Sequence, residues 1–356
     1  MAAIRMGIMG FGLVGRQLYL HSLDHDRFDV VAISDIGRPE ILHHLLSTTM
    51  GRDVRESDVR LERNHLISER GRARLMPADH PNEIPWDAFG VDLVVDATGR
   101  FHSLHELTPH LENGARRVIL SKPPIEAIDR VILSGVNEEE ASSVDRIVSA
   151  GSPTTTATGL ALKIITDAYP IEYASMTSVH SYTSDQSLQD YAGPDYRRSR
   201  SGAENIIPNA TPVLECVQQV LPAVKGKLSA YTLNVPVQIG SMLDLTVAFA
   251  DRGIEVEDIN GRFIDAAKAR PELVATTNDP IVSSDVKGCS QSLLVDLQGT
   301  MKAGERMIKL LAWHETLGHA KRILDVADLY ADLDARADGV GGRNPPNDDG
   351  TSEGSS

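Results

Sequence analysis

Through the first 150 or so residues, apolar positions come in short unbroken runs rather than in alternation with polar ones. Arg5 to Met9, Phe28-Asp29-Val30-Val31-Ala32-Ile33-Ser34, Val91-Asp92-Leu93-Val94-Val95-Asp96 and Arg117-Val118-Ile119-Leu120-Ser121 are such runs, each closing on small or polar residues. A strand written this way is buried on both faces, as in a parallel sheet covered by helices on each side. Between the first two runs, Leu18, Leu20 and Leu23 fall on a helical pattern that begins at Arg16. Strand and helix in alternation predict an α/β fold.

Gly10-Phe11-Gly12-Leu13-Val14-Gly15 joins the first strand to its helix. Gly10 permits a tight turn, Gly12 lets a pyrophosphate approach the backbone, and Gly15 lets the helix pack on the strand. The helix start then presents free N–H groups to phosphates. Asp35 closes the next strand about 20 residues on, where a carboxylate accepts hydrogen bonds from a ribose and repels a 2′-phosphate. The pattern predicts a bound dinucleotide, NAD in preference to NADP, while the nearby Arg38 keeps NADP open. The other reading of the glycines is a turn that keeps the fold and has lost the ligand. Ligands of open parallel sheets gather at the carboxyl ends of strands, which brings Thr98 (in Ala97-Thr98-Gly99) and Ser121 (in Ser121-Lys122-Pro123) to the same pocket.

Composition narrows the function classes. At 356 residues, with 41% hydrophobic and 24% charged, the chain can build one large or two ordinary domains. A net charge of −15 argues against general binding to nucleic acid or to an anionic membrane, since both reward positive charge. Two cysteines, Cys216 and Cys289, provide neither a disulfide framework nor a metal-ligand cluster, and inert thiols are expected. No charged and apolar leader follows Met1, and no apolar stretch approaches the roughly 18 residues that span a bilayer, so a cytoplasmic location is expected.

Ordered motifs then run over about residues 5–330. They are Gly10 to Arg16, Asp96-Ala97-Thr98-Gly99-Arg100-Phe101, Gly135-Val136-Asn137 and Ser149-Ala150-Gly151-Ser152-Pro153-Thr154-Thr155-Thr156. Downstream stand Val179-His180-Ser181-Tyr182-Thr183-Ser184-Asp185-Gln186, Arg197-Arg198-Ser199-Arg200, Asn205-Ile206-Ile207-Pro208, Val282-Ser283-Ser284-Asp285 and Lys309-Leu310-Leu311-Ala312-Trp313. In order and spacing the chain resembles the phosphorylating glyceraldehyde-3-phosphate dehydrogenases and the related erythrose-4-phosphate dehydrogenases. The resemblance implies a Rossmann-type, doubly wound parallel sheet in a dinucleotide-binding domain over residues 1–152. An α+β catalytic domain with an antiparallel sheet follows over 153–317, and a C-terminal helix over 318–336 packs back on the first domain. Residues 337–356, rich in Gly, Pro, Asn, Asp and Ser, are expected to be a disordered tail. A homotetramer is implied as well.

The same resemblance assigns the site. In the family a cysteine thiolate adds to an aldehyde, a histidine takes the proton, and the thioester left after hydride transfer is split by phosphate. His180 matches the histidine, while Pro153 stands where the cysteine does. Proline offers neither a nucleophile nor a backbone N–H for the oxyanion, and losing one oxyanion donor costs about 10²–10³ in rate. Ser152, kept with His180 as a candidate catalytic residue, is also expected to cap the helix that Pro153 begins, so the fold tolerates the substitution. Thr183 matches a substrate-phosphate residue, and Ser152, Thr211 and Arg198 match positions around the attacking-phosphate site, with Asp185 beside them. Asn234 replaces an arginine, turning a charge-assisted phosphate contact into a neutral one. Leu13 replaces another arginine, and Trp313 to His319 is one residue short of the family pattern and lacks the asparagine that orients the nicotinamide amide.

Two readings follow. In one the chain is a repurposed enzyme that binds a dinucleotide and a small anionic or phosphorylated metabolite, with His180 as acid/base and no thioester. In the other it is a nucleotide-binding pseudoenzyme with a regulatory or scaffolding role.

Overall fold

The unbroken apolar runs of the first half form the parallel core of one sheet. The computed structural model describes residues 3–50, 59–184 and 186–341. Its first half runs β1 (Ile4–Met9), α1 (Leu13–Leu23), β2 (Phe28–Ser34), α2 (Pro39–Met50), β3 (Val59–Glu62), β4 (His65–Ser68), β5 (Gly71–Met76), β6 (Leu93–Asp96), α3 (Leu104–Glu112), β7 (Arg117–Leu120), β8 (Arg130–Val131) and β9 (Ile147–Ser149). Among the described residues the strand order is β3-β4-β5-β2-β1-β6-β7-β9-β8. All pairings from β5 to β8 are parallel, and β3, β4 and β5 form an antiparallel edge. The sheet buries both faces, as the runs require. One side packs Ile8, Leu18 and Val95 together, the other Trp86, Val94 and Leu107.

The second half runs α4 (Pro153–Thr166), β10 (Ile171–Ser181), β11 (Ile207–Asn209), α5 (Val213–Val220), β12 (Leu228–Val235), β13 (Ser241–Phe249), α6 (Val256–Ala269), β14 (Val274–Thr277), β15 (Leu293–Ala303), β16 (Met307–His314) and α7 (Thr316–Gly341). Its strands line up as β11-β12-β10-β13-β16-β15-β14. The expected antiparallel sheet is in fact mixed. β10 pairs with β13, and β13 with β16, in antiparallel fashion, but β10–β12 and β14–β15 are parallel. A parallel neighbour needs a crossover rather than a hairpin, and the long segment carrying β11 and α5 provides it between β10 and β12. Alternate residues of β13, Leu243, Leu245 and Val247, are buried in a core that also holds Leu160 and Leu162 of α4.

The C-terminal helix returns to the first sheet, where Ile323, Ala327 and Tyr330 join the cluster around Ile8. Arg117, nearly fully buried, donates to Asp334 at 2.6 Å and lies over the Tyr330 ring. The Tyr330 hydroxyl donates to Asp145 at 2.8 Å. This helix begins two residues earlier than 318 and continues past 336, through Gly341. Ala335, Arg336 and Ala337 are good helix formers, so the tail composition begins to weigh only beyond them; residues 342–356 lie outside the described residues. Among the described residues no helix is long and apolar enough to cross a membrane.

Candidate active site

A continuous cleft of about 1920 Å³ runs from the carboxyl ends of the first sheet, over the start of α4, to one end of the second sheet. The start of α4 is built by local sequence. Gly151 has φ +71, and a Cβ there would meet the Leu133 side chain at 2.4 Å, so only glycine makes this turn without strain. Ser152 follows in extended geometry as the N-cap, and its Oγ accepts the N–H of Thr155 at 3.2 Å. Pro153 is the first helical residue, where a missing N–H costs nothing. Ser152, Pro153 and Thr154 all line the cleft.

Facing them is a row of polar side chains laid across five neighbouring strands. His180 on β10 pairs with Asn234 on β12. One step beyond the Val179–Met242 pair stand His180 and Ser241, so both occupy the face opposite to that pair. Ser241 pairs in turn with His314 on β16. Asn209 on β11 pairs with Thr232, two residues before Asn234 and therefore on the same face. The row reads Asn209, Asn234, His180, Ser241, His314, at the mouth of the face that α4 covers further in.

Hydrogen bonds set the orientation of these groups. His180 Nδ1 lies 2.6 Å from the Ser181 carbonyl, which only accepts, so Nδ1 carries the hydrogen and the ring's basic lone pair is on Nε2. Asn209 Nδ2 donates to the Ile207 carbonyl at 3.1 Å and to Asn234 Oδ1. Because a carbonyl cannot donate, Ile207 fixes the nitrogen of Asn209, and Asn209 in turn fixes the oxygen of Asn234. Burial then pushes His314 down to about 3, with the nearby His180 and His319 adding to the shift. Burial likewise pushes His319 down to about 4, although its bond to the Ser121 carbonyl opposes this. Both imidazoles are neutral at physiological pH.

The nucleotide side of the cleft is made by the glycine turn. Gly10 has φ +90, and a Cβ on Gly15 would sit 2.1 Å from the Gly10 carbonyl oxygen, so α1 and the turn touch backbone to backbone. A Cβ on Gly12 would meet nothing within 4 Å. Gly12 is also the N-cap of α1, without a side-chain cap bond, and it lines the cleft with Leu13 and Val14. Phe11 is buried against Tyr19, and its N–H donates to Asp35 at 2.7 Å. The other Asp35 oxygen accepts from Gly37 N–H at 2.8 Å, so this carboxylate braces the turn from behind. Thr98 is held by Asp96 Oδ1, which accepts its N–H at 3.0 Å and its hydroxyl at 2.7 Å. Asp96 Oδ2 faces His110, whose other nitrogen accepts from Trp86 Nε1 at 2.9 Å. Ser121 completes the wall.

The amino-acid sequence matches known proteins along almost its full length. Residues 4–104 match the model of the glyceraldehyde 3-phosphate dehydrogenase NAD binding domain, and residues 152–316 match that of the C-terminal domain. The chain belongs to the glyceraldehyde-3-phosphate dehydrogenase family. It is 34% identical over 332 residues to the glyceraldehyde-3-phosphate dehydrogenase of Priestia megaterium, covering 92% of this chain and 98% of that one. With that of Mycobacterium leprae it shares 37% over 338 residues, again 92% and 98%. The glyceraldehyde-3-phosphate dehydrogenase 1 of Bacillus subtilis is 33% identical over 332 residues, with the same coverage.

Against this family background, the cleft brings together Ser152, Pro153, His180, Thr183, Arg198, Thr211 and Asn234 from the second half, with Gly12, Leu13, Val14, Thr98 and Ser121 from the first. Gly10, Phe11, Gly15 and Asp35 sit behind the lining and shape it. Thr183 N–H is held by Gln186, Arg198 N–H by Asp195, and Thr211 Oγ1 accepts from Val213 N–H at 3.4 Å. Asp185 lies outside the described residues. The sequence reading missed Asn209, Ser241, His314 and His319 as site residues. The signal available for the histidines was their position either side of Gly318, next to the Trp313 motif. For Asn209 and Ser241 no local signal existed, because strand register alone brings them in.

Proposed function

We propose that this member of the family is a dehydrogenase-derived enzyme that acts on a small anionic substrate without thioester chemistry, with His180 as its acid/base. The observation that carries the reading is the meeting of His180 with a helix start that bears Pro153 in place of a nucleophile. Among the described residues, no cysteine lines the cleft. Cys216 is buried in α5, where burial and Glu215 push its thiol up to about 12, and burial also raises Cys289, in the loop before β15. Neither thiol can take over the attack, since the thiolate is the nucleophile. In our reading Pro153 occupies the position of the family's cysteine.

The fit of NAD rests on the glycine turn. The open space at Gly12 and the uncapped start of α1 suit a pyrophosphate, and Thr98 and Ser121 stand where the rest of a dinucleotide would lie. NAD, when bound, exchanges a hydride with a carbon of the substrate. His180 Nε2 holds or accepts the accompanying proton, while Thr183, Arg198, Thr211 and Ser152 hold the anionic group. Assembly as a homotetramer in the cytoplasm accompanies this reading. The loss of the thiol together with Asn234 favours a second reading, a nucleotide-binding pseudoenzyme.

Full-length protein incubated with NAD and a metabolite extract, with mass-spectrometric detection of consumed compounds, separates the two. The enzyme reading expects a consumed compound whose loss stops in His180→Ala. Turnover unchanged in His180→Ala, or nucleotide binding with no consumption at all, would sink it.

A further inference from the structure

The amide pair at the end of the polar row carries information about the substrate. Asn209 and Asn234 are nearly buried, at 9% and 5% exposure, yet both line the cleft. Asn209 spends both amide hydrogens, on the Ile207 carbonyl and on Asn234 Oδ1. What is left is one donor, Asn234 Nδ2, and one acceptor, Asn209 Oδ1, neither with a partner among the described residues. Their roles cannot be exchanged, because reversing Asn209 would set its oxygen against the Ile207 carbonyl.

Two of the neighbouring side chains carry no charge. Ser241 is neutral, and so is the buried His314. Arg197, close in sequence, is drawn away, since it donates to Tyr231 at 2.9 Å and to the Pro208 carbonyl. Tyr231 alternates with Thr232 and therefore stands on the opposite face of β12.

We infer that Asn209 and Asn234 form a subsite that reads a hydroxyl group, so that the substrate places an uncharged, polyhydroxylated end here rather than a phosphate ester. A hydroxyl both donates and accepts: its oxygen takes the Asn234 N–H and its hydrogen goes to Asn209 Oδ1. A phosphate dianion only accepts, so it can use Asn234 but sets its charge against the Asn209 oxygen. A buried charge left without a cation or a full set of donors is costly, whereas a fully paired hydroxyl is not. The inference rests on the proposed function only in placing the substrate in this cleft. The anionic group of that substrate then belongs elsewhere in the cleft.

The test uses two unreactive probes, erythritol and erythritol 4-phosphate, with the full-length protein and ligand-observed NMR titration. Erythritol is expected to bind the unaltered protein, and Asn209→Ala, which removes the acceptor, is expected to weaken it by about ten-fold, the effect of about 1.4 kcal/mol. Asn234→Arg is expected to shift the balance from erythritol toward the phosphate ester, relative to the unaltered protein. No response to erythritol, or erythritol binding unchanged in Asn209→Ala, would overturn the inference. Neither probe carries a carbonyl, so both are read without turnover. The hydroxyl subsite can therefore stand while the acid/base reading fails, or fail while it stands.

Discussion

The ring of His314 lies edge-on to that of His180, with centroids 6.0 Å apart and 61° between their planes. His314 is buried and neutral, and its Nε2 has no partner among the described residues. The sheet thus sets a second, uncharged imidazole beside the one proposed as acid/base. His314 therefore adds no fixed positive charge to the row, and its burial shapes how the fold responds to pH.

That response can be measured. The unfolded chain protonates both imidazoles near the ordinary histidine value of about 6.5, whereas the folded one resists until about 4 for His319 and about 3 for His314. Because the folded values are depressed, the stability is fully present above about pH 6.5 and is lost as pH falls through that window. Each imidazole contributes a slope of about 1.4 kcal/mol per pH unit at the steepest. Denaturant unfolding of the unaltered protein should weaken steadily from about pH 6.5 to 5, ahead of most carboxylates. A double variant, His314→Asn with His319→Asn, should show a flatter profile over the same range. Equal slopes in the two proteins would show that burial of these imidazoles is not what couples the fold to pH.

Pro153 leads to a labelling prediction. The unaltered protein should be nearly silent to a thiol reagent at neutral pH, because burial raises both Cys216 and Cys289. Pro153→Cys should add one fast-reacting thiol per chain, since position 153 opens on the cleft and a helix start lowers a thiol's pKa. The variant should also lose about 0.4–1 kcal/mol of stability, as the unfolded chain regains freedom at that position. Glyceraldehyde 3-phosphate oxidation should not return with the thiol, because Asn234 still stands at the substrate end. Rapid labelling of the unaltered protein would refute the account of its two cysteines.

A buried chain supports the nucleotide wall. Trp86 Nε1 can only donate, so it fixes His110 Nδ1 as acceptor and leaves Nε2–H for Asp96, 3.4 Å away. Asp96 in turn holds Thr98 by two bonds. His110→Phe keeps the volume but strips Trp86 and Asp96 of partners, at about 1–3 kcal/mol for each. The urea midpoint should fall accordingly, and NAD affinity with it as Thr98 loosens. His110→Phe with an unchanged midpoint would mean that the chain contributes nothing.

Much of this was legible in the sequence, for a physical reason in each case. Double burial wrote the runs at Val30–Ile33 and Leu93–Val95 as plain apolar stretches, and the φ and packing demands at Gly10 and Gly15 left glycines where a turn had to be. Ser152 and Pro153 announced their helix because capping is local. The polar row was not legible, because Asn209, Asn234, His180, Ser241 and His314 come from five strands joined by register rather than by spacing. The parallel pairing of β10 with β12 hid for the same reason, since nothing within either strand states which neighbour it takes. The neutral state of His314 depends on what covers it, and that is a tertiary fact.

The glycine turn offers the sharpest separation of fold from function. At Gly12 a Cβ would meet nothing within 4 Å, and φ is −68, so an alanine fits the protein without strain. Gly12→Ala should therefore unfold at the same denaturant concentration as the unaltered chain, or slightly higher, with up to about 1 kcal/mol gained through the stiffer unfolded state. The same methyl would stand where a pyrophosphate must approach the backbone, so NAD binding by calorimetry should weaken by ten-fold or more, about 1.4 kcal/mol. At Gly15 the outcome inverts: a Cβ would press on the Gly10 carbonyl oxygen, so Gly15→Ala should destabilise the fold itself. Gly12→Ala that binds NAD as well as the unaltered protein would show that this turn has kept its shape and given up its ligand.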